Sequence, residues 1–415
     1  MYGKTRKKDD NTDELIISDL GVNKESKSKR SRIFNPNTFN FNIKFFAIAV
    51  LLVIVIATAF FAIRFMSFNS MVMIWRTNLT KGSDNVNNKS VEYESFREGL
   101  VRISNDGVTY VDKNGNINWT ISYNIKEPIY SSSGKYFSIA DKNGNNFYIF
   151  GEKGVTGSNT TTNPIIKTSM SDEGVLYVMQ SDDNNSFINV FRSNGDIIDL
   201  SIKTNLTEDG MPIDISTSKS GEELSVAYVC LDEDVIYTKA TYYNFADAGK
   251  NAGAKRIVGE FTEEFNGKFI ARVHHFNDKK SVIVYDGGMY YVSTDDPASP
   301  RIVNRIELKE NISSISYNDR YFAMIYDDNK LSVYDDDGKE LCDREIDFEY
   351  TNFYINDDYV IFLDERRVVI CDSRGRIIFD KELSAYVEYV AKKKNLFFTE
   401  LLVGLTDSIE CVRFY

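Results

Sequence analysis

The chain has 415 residues, of which 42% are hydrophobic, so it can bury a core and is not globally disordered. Its net charge of −12 is unevenly distributed, because residues 1–44 hold ten Lys and Arg against six Asp and Glu, which is +4, and the remainder is therefore −16. A domain this acidic repels phosphate backbones, which argues against nucleic-acid binding.

Residues 1–43 are predicted to form a basic, mostly disordered cytoplasmic tail, because polar and charged residues predominate. Within it, residues 12–21 have the pattern of a short helix, with a capping Thr12, acids in the first turn and a terminating Gly21. This segment is a candidate docking helix for a cytoplasmic partner, and a transient helix without a role is the alternative.

Residues 44–64 are predicted to be a transmembrane helix. The nineteen residues 45–63 carry no charge, and as a helix they span about 28 Å, close to the hydrocarbon thickness. Four basic residues lie at 27–32, and cytoplasmic flanks carry such an excess. We therefore expect a single-pass plasma-membrane protein with its N-terminus in the cytoplasm and its C-terminal domain outside. A signal peptide cleaved after Ala57-Thr58-Ala59 is the alternative.

Residues 65–90 are predicted to be a juxtamembrane segment and linker, with an apolar strand at 72–79. From residue 91 to 415 the sequence repeats in units of roughly 40 residues, each with the pattern of four strands. One hairpin of each unit contains Asp, Asn and Gly, which such turns require because Gly adopts positive φ at little cost. The clearest copies are Tyr110–Gly115, Val190–Gly195, Val333–Gly338 and Ile370–Gly375.

The number of units follows from two counts. Eight polar turns precede an apolar strand, but only seven hairpins follow, and the last unit ends at residues 411–415 without a fourth strand. A circular fold in which the strand at 72–79 completes the last unit resolves the mismatch and leaves no free edge. The sequence therefore predicts an all-β, eight-bladed β-propeller at 91–415, preceded by one transmembrane helix. Seven blades are the alternative.

Two resemblances support this fold. Residues Tyr110–Trp119 resemble the repeats of PQQ-like and WD40-like propellers, in which a strand, a D-x-x-G turn and a Trp recur. Asp199, Cys342 and Phe379 replace the Trp in other units, so the resemblance implies the fold and not quinone chemistry. Over nearly its whole length the chain also resembles an uncharacterised family of membrane-anchored propeller proteins from Gram-positive bacteria, with blades similar to Leu331–Leu341. That resemblance implies no activity.

No catalytic set is evident in the sequence. The only histidines, His274 and His275, are neighbours on a predicted strand and would point to opposite faces. No G-x-S-x-G, H-E-x-x-H or P-loop pattern occurs. The four cysteines form no C-x-x-C pair, so we expect buried free thiols rather than a zinc site, with one or two disulfides as the alternative. They are Cys230, Cys342, Cys371 and Cys411.

Calcium is the one cofactor that the sequence suggests. Asp141, Asn143, Asn145 and Glu152 match positions 1, 3, 5 and 12 of a calcium-binding loop. Position 6, which needs Gly, is Asn146, so a plain hairpin is the alternative.

Two long polar segments, 152–164 and 244–256, depart from the short-turn pattern and are predicted to be loops. Long loops on a rigid scaffold often carry binding residues, and tolerated insertions are the alternative.

Three functions are compatible with this sequence. The favoured one is a non-catalytic binding or scaffolding module for protein or glycan partners at the cell envelope, because the predicted surface is rigid and anchored. The second is a transmembrane sensor that signals to the cytoplasmic tail. The third is a hydrolase or lyase with a carboxylate pair in the central channel. Propellers serve all three purposes, so the fold does not choose among them.

Overall fold

The computed structural model describes residues 43–65, 70–79, 91–308, 310–395 and 398–414. The chain divides into two compact units, residues 1–65 and 66–415. The helix predicted at 12–21 lies outside the described residues.

The first unit contains the helix α1, Ile43–Phe65. Its side chains are described for residues 46–58 and are exposed there. Within the described part of the chain, no helix is long and apolar enough to cross a membrane. The transmembrane helix at 44–64 therefore stays a prediction.

The described residues of the second unit form eight four-stranded antiparallel sheets, the blades of a β-propeller. Blade 1 contains β2 Glu92–Phe96, β3 Gly99–Ser104, β4 Gly107–Val111 and β5 Ile117–Ser122, and blade 2 contains β6 Pro128–Ser132, β7 Phe137–Asp141, β8 Asn146–Gly151 and β9 Gly154–Thr160. Blade 3 contains β10 Ile165–Met170, β11 Leu176–Ser181, β12 Asn185–Phe191 and β13 Ile197–Asn205, and blade 4 contains β14 Met211–Thr217, β15 Glu223–Asp232, β16 Val235–Asn244 and β17 Ile257–Phe261.

Blade 5 contains β18 Ile270–His275, β19 Lys280–Tyr285, β20 Gly288–Ser293 and β21 Arg301–Glu307, and blade 6 contains β22 Ile312–Tyr317, β23 Tyr321–Tyr326, β24 Lys330–Asp335 and β25 Glu340–Glu345. Blade 7 contains β26 Asn352–Asn356, β27 Tyr359–Asp364, β28 Arg367–Asp372 and β29 Ile377–Glu382, and blade 8 contains β30 Val387–Lys393, β31 Glu400–Leu405, β32 Ser408–Phe414 and β1 Met71–Asn78. A short helix α2, Asp247–Ala252, and a 3-10 turn, Glu263–Phe265, complete the described elements.

Blade 8 joins the two ends of the propeller chain. Its outer strand β1 pairs with β32, from Met71 opposite Phe414 to Asn78 opposite Ser408. The closing strand that the sequence places within residues 72–79 is this strand, and the Leu79 N–H continues the contact by donating to the Asp407 carbonyl at 2.8 Å. The eight-bladed prediction is confirmed, and the seven-bladed alternative is wrong.

The hydrophobic core lies between the faces of neighbouring blades. Val333 of blade 6 packs with Ile355 of blade 7, and Leu402 of blade 8 packs with Leu100 of blade 1. Each strand alternates side chains towards the preceding and the following blade, which explains why aromatic and β-branched residues dominate the second and third strands. The four cysteines are buried and unpaired in these layers.

The hairpins between third and fourth strands have the predicted turn chemistry. In blade 1, the Asp112 carboxylate accepts the N–H groups of Asn114 at 2.8 Å and Asn116 at 2.9 Å. Gly115 has φ of 87° and lies against Trp75 of the closing strand, whose ring atoms would be 2.8 Å from an added Cβ. A glycine is required here for both its backbone angle and its size.

The two segments predicted to be long loops differ from each other. The prediction is wrong for 152–164, because this segment contains β9, the outer strand of blade 2. Its polar composition reflects an outer strand whose buried residues are the glycines Gly154 and Gly157. Gly157 packs so closely on the next blade that a Cβ would lie 2.1 Å from the Asn194 carbonyl carbon. The segment 244–256 connects β16 to β17 and contains α2.

Candidate functional site

The first strand of every blade lines a central channel with a volume of about 860 Å³. We call the first strand of each blade its inner strand. The pairing of each inner strand with the second strand of its blade places one residue of every inner strand at the same level of the channel, and we call this place the ring position. From blade 1 to blade 8 these residues are Glu94, Ser131, Ser169, Ser216, His274, Ser316, Tyr354 and Ala391. The ring position therefore combines four serines with four residues of other types.

The four ring serines tie neighbouring blades together. Each serine Oγ accepts a backbone N–H from the inner strand of the following blade. The pairs are Ser131 with Met170 at 2.9 Å, Ser169 with Thr217 at 3.0 Å, Ser216 with His275 at 2.9 Å and Ser316 with Ile355 at 2.9 Å. Because these hydroxyls satisfy backbone groups, they serve the fold rather than a ligand.

Blades 7, 8 and 1 replace the serine contacts with an aromatic network. The Tyr354 hydroxyl contacts both the N–H of Val390 at 2.5 Å and its carbonyl at 2.9 Å. The rings of Tyr354 and Tyr389 stack with centroids 4.7 Å apart and planes 2° from parallel. The Tyr389 hydroxyl lies 3.2 Å from Ser95 Oγ, which also accepts from the Asn356 amide at 2.8 Å. This part of the channel wall is therefore rigid and rich in tyrosine.

Glu94 lies on the same wall and is half-buried. Among the described residues, no Lys or Arg forms an ion pair with its carboxyl. Burial raises the pKa of Glu94 to about 7. Burial also raises the pKa values of Tyr130, Tyr354 and Tyr389 far above the ordinary tyrosine value, and the Glu94 charge adds to each shift. The three tyrosines therefore surround a carboxyl that has no counter-ion within the described chain.

The opposite wall carries paired charges. Asp214 of blade 4 is fully buried and contacts Lys167 of blade 3. It also accepts from Arg272 Nη1 at 3.4 Å and from the Val273 N–H at 2.8 Å, both in blade 5. Two cations share one carboxylate here, so this wall is positive where the Glu94 wall is acidic.

The two histidines lie on opposite faces of β18, as their spacing predicts. His274 Nε2 is 2.9 Å from the Asn318 carbonyl of the following blade, and its ring centroid is 4.3 Å from that of Tyr317. His275 packs against Tyr242 of the preceding blade, with ring centroids 5.9 Å apart. Burial lowers the pKa of each histidine to about 4, so both are neutral at physiological pH.

The mouth of the channel is formed by the turns between first and second strands. Arg97, Asp172, Lys219, Asp319 and Asp357 contribute from five blades. The Asp319 carboxylate is 2.7 Å from Lys219 Nζ, and the Asp172 carboxylate accepts the N–H of a neighbouring turn at 2.9 Å. The mouth is thus a rigid rim with charges of both signs.

Three of the predicted calcium residues, Asp141, Asn143 and Asn145, lie at the hairpin between β7 and β8, whereas Glu152 lies in the turn between β8 and β9, at the other end of β8. Asp141 accepts two backbone N–H groups of the preceding connection, at 3.0 and 3.1 Å. Asn143 occupies the turn with φ of 60°, and the Asn145 amide donates to a backbone carbonyl at 2.9 Å. Glu152 pairs with Arg97 of blade 1 at 3.4 Å. Three of the four side chains thus have protein partners, and calcium binding stays a prediction.

Sequence reasoning did not identify the Glu94 wall. Glu92 and Glu94 have the alternation of a solvated strand, and Tyr354 and Tyr389 resemble the other strand tyrosines. Only the pairing register brings Glu94 beside these rings. The sequence carries one signal of this wall. When all eight inner strands are aligned, Glu94 and Tyr354 stand at the position where four other blades have serine.

A second acid with a raised pKa, Glu223, is buried at the start of β15, where burial raises its pKa to about 7. The ionised form is therefore disfavoured in the folded state, and stability falls as pH rises from about 4.5 to about 7. We expect Glu223→Gln to raise the free energy of unfolding at pH 8 by up to about 3 kcal/mol and to change little at pH 4.5. Urea unfolding of residues 66–415 at both pH values measures this difference.

The adjacent Glu222 is exposed and supplies the control for this experiment. Glu222→Gln removes the same charge without removing a buried carboxyl, so its effect should stay within about 0.5 kcal/mol at both pH values. An equal effect of Glu223→Gln at pH 4.5 and pH 8 would contradict the assignment of a buried, titrating carboxyl.

Comparisons with known proteins address the fold. The model of a family described as "Family of unknown function (DUF5711)" matches residues 67–414. No curated protein is a significant match. Sqt1 of Saccharomyces cerevisiae is similar in structure, with 12% identity and a TM-score of 0.52, over 84% of this chain and 100% of that one. The likeness to Sqt1 shows a shared fold.

Two further structures have lower TM-scores. BamB from Moraxella catarrhalis has 11% identity and a TM-score of 0.47, over 84% of this chain and 98% of that one. The computationally designed Ika8 protein has 11% identity and a TM-score of 0.49, over 82% of this chain and 99% of that one.

Proposed function

Because the chain belongs to a family of unknown function (DUF5711), we propose a function from the geometry of the channel: it is a non-catalytic binding module that holds a protein partner at the channel mouth. The observation that carries this proposal is the rim of charged turns above a polar channel of about 860 Å³. Binding residues are often placed on turns that a rigid scaffold positions, and the eight blades supply such a scaffold.

A protein partner fits this rim better than a neutral glycan does. The rim offers charges of both signs, with Arg97 and Lys219 placed among Asp172, Asp319 and Asp357. Protein interfaces combine a polar rim with buried aromatic anchors, and complementary charges give them specificity. A neutral glycan carries no charge that could complement either sign of this rim.

We further propose that α1 anchors the module in the plasma membrane, with the N-terminus in the cytoplasm and the propeller at the cell envelope. The support is the uncharged stretch 45–63 and the basic residues at 27–32 that precede it. An anchored module would bind partners close to the membrane.

In-cell photo-crosslinking of the full-length protein tests the binding role. A photo-reactive residue at Asp319, which is exposed in the rim, should capture one dominant protein. The same residue at Asp234 is the control, since Asp234 is exposed in the turn between β15 and β16, at the other end of the blades. The crosslinked product should remain in the membrane pellet after alkaline extraction and become soluble when residues 44–64 are deleted.

Each part of the proposal has a result that would contradict it. Equal capture at Asp319 and Asp234, or capture at neither, would refute binding through the mouth. Release of the full-length protein by alkaline extraction would refute the anchor.

A further inference from the structure

The Glu94 wall has the chemistry of a cation site without a protein cation. A half-buried carboxylate is costly to ionise unless an opposite charge compensates it. No Lys or Arg of the described chain forms an ion pair with Glu94, whereas Asp214, a buried acid on the first strand of blade 4, has two such partners. The Glu94 carboxylate can therefore be compensated by a positive charge that a bound ligand supplies.

The tyrosines beside Glu94 complete this environment. Tyr354 and Tyr389 are fixed by hydroxyl contacts to Val390 and Ser95 and by their mutual stacking. Tyr130 faces the same space from blade 2. Aromatic rings attract an ammonium group through their negative faces, and the attraction grows when the group is desolvated. Rings held in place in this way lose little entropy on binding.

We propose that Glu94, Tyr130 and Tyr389 bind an alkylammonium group that enters the channel from the mouth. The inference deepens the proposed function and rests on it, because it names the chemistry by which a partner is held. The group is either the side chain of a partner's lysine or a free alkylamine. Glu94 lies three residues from Arg97 at the rim, about 10 Å along an extended strand, so a long side chain is needed to reach it.

The site predicts a specific pH dependence. An ammonium group binds the ionised carboxylate, so the affinity should increase about tenfold between pH 6 and pH 8 as Glu94 loses its proton near pH 7. The groups that face Glu94 are Glu92 on its own strand and Tyr130, Tyr354 and Tyr389 on neighbouring strands. The tyrosines stay protonated over this range, and the histidines across the channel stay neutral.

Calorimetric titration of the full-length protein in detergent tests the site. The probes are acetyl-Gly-Lys-Gly-amide, the same peptide with norleucine in place of lysine, and n-butylamine. We expect the lysine peptide to bind at least about tenfold more tightly than the norleucine peptide, which has the same four-carbon side chain without the ammonium group. Tighter binding of the lysine peptide than of n-butylamine identifies a protein lysine as the source, and equal binding identifies a free amine.

Two variants give the test a matched comparison. Glu94→Gln should weaken the lysine peptide at least about tenfold and remove its pH dependence. Glu388→Gln is the control, because Glu388 is an exposed channel acid that accepts from Thr406 at 3.3 Å and should change the affinity less than about twofold. Thermal unfolding of both variants confirms that each is folded.

Three results would overturn the inference: no saturation by any probe at about 10 mM, equal binding of the norleucine peptide, or unchanged affinity in Glu94→Gln. Its failure can be told apart from failure of the proposed function. If Asp319 captures the same partner in wild type and in Glu94→Gln, the binding module stands and the ammonium site falls.

Discussion

Replacing residues 71–79 by a Gly/Ser sequence of the same length is expected to abolish the cooperative folding of residues 66–415. The replacement removes the side chains of the seven residues that pair with β32, including Trp75, which packs on Gly115. The lost side-chain packing and the glycines placed in the strand, each of which costs about 0.5–1 kcal/mol, together lower the free energy of unfolding by roughly 5 kcal/mol, which is comparable with the total stability of a domain. Circular dichroism during urea unfolding should show a broad transition instead of a steep one.

The loss extends to the joint between the last and the first blade. The Thr77 hydroxyl donates to the Gly115 carbonyl of blade 1 at 2.6 Å, so β1 ties blade 8 to its neighbour. Without β1, strand β32 becomes a free edge that can pair with other chains. A Gly/Ser replacement of residues 81–89, which removes none of the β1 pairs, is the control. A steep transition near the wild-type midpoint after loss of β1 would contradict the closed ring.

Asp214→Ala is expected to lower the free energy of unfolding by about 3–5 kcal/mol. Asp214 is fully buried and joins three blades through Lys167, Arg272 and the N–H of Val273. The substitution leaves two cations without their shared counter-ion and one buried N–H without an acceptor. Urea unfolding of residues 66–415 at pH 7 measures the effect.

Asp319→Ala is the matched control for this substitution. It also removes one aspartate from a lysine pair, but Asp319 and Lys219 are exposed, and such pairs contribute about 0–1 kcal/mol. An equal loss of unfolding free energy in both variants would contradict the claim that the Asp214 contacts, which join blades 3, 4 and 5, stabilise the propeller more than an exposed ion pair does.

The blade count could be predicted because the outer hairpins have strong local chemistry. Asp112 and Gly115 specify their turn through side-chain hydrogen bonds and positive φ, and Gly195, Gly338 and Gly375 show the same positive φ. Blade 2 shows the limit of this approach. Its outer strand β9 is polar and contains two buried glycines, so its sequence resembles a loop.

The candidate site could not be predicted in the same way. The inner strands are short and polar, so their sequences do not show which residues of different blades meet in the channel. Ser95 and Tyr389, for example, are in contact although they are 294 residues apart in sequence. The opposite orientation of His274 and His275 needed only strand alternation, and it was predicted correctly. The proximity of Glu94 to Tyr389 required the closed ring.

The resemblance to a propeller family of unknown function is confirmed by the match over residues 67–414. The membrane anchor and the Gram-positive origin that the resemblance implied stay predictions. So do the calcium set at Asp141 and the docking helix at 12–21, which lies outside the described residues.

Photo-crosslinking from the channel mouth is the most direct test of the proposed binding role. One dominant protein should be captured from Asp319 in cells, with little or no capture from Asp234 at the opposite end of the blades. Equal labelling from both positions, or no labelling from Asp319, would contradict a function that depends on the mouth of the channel.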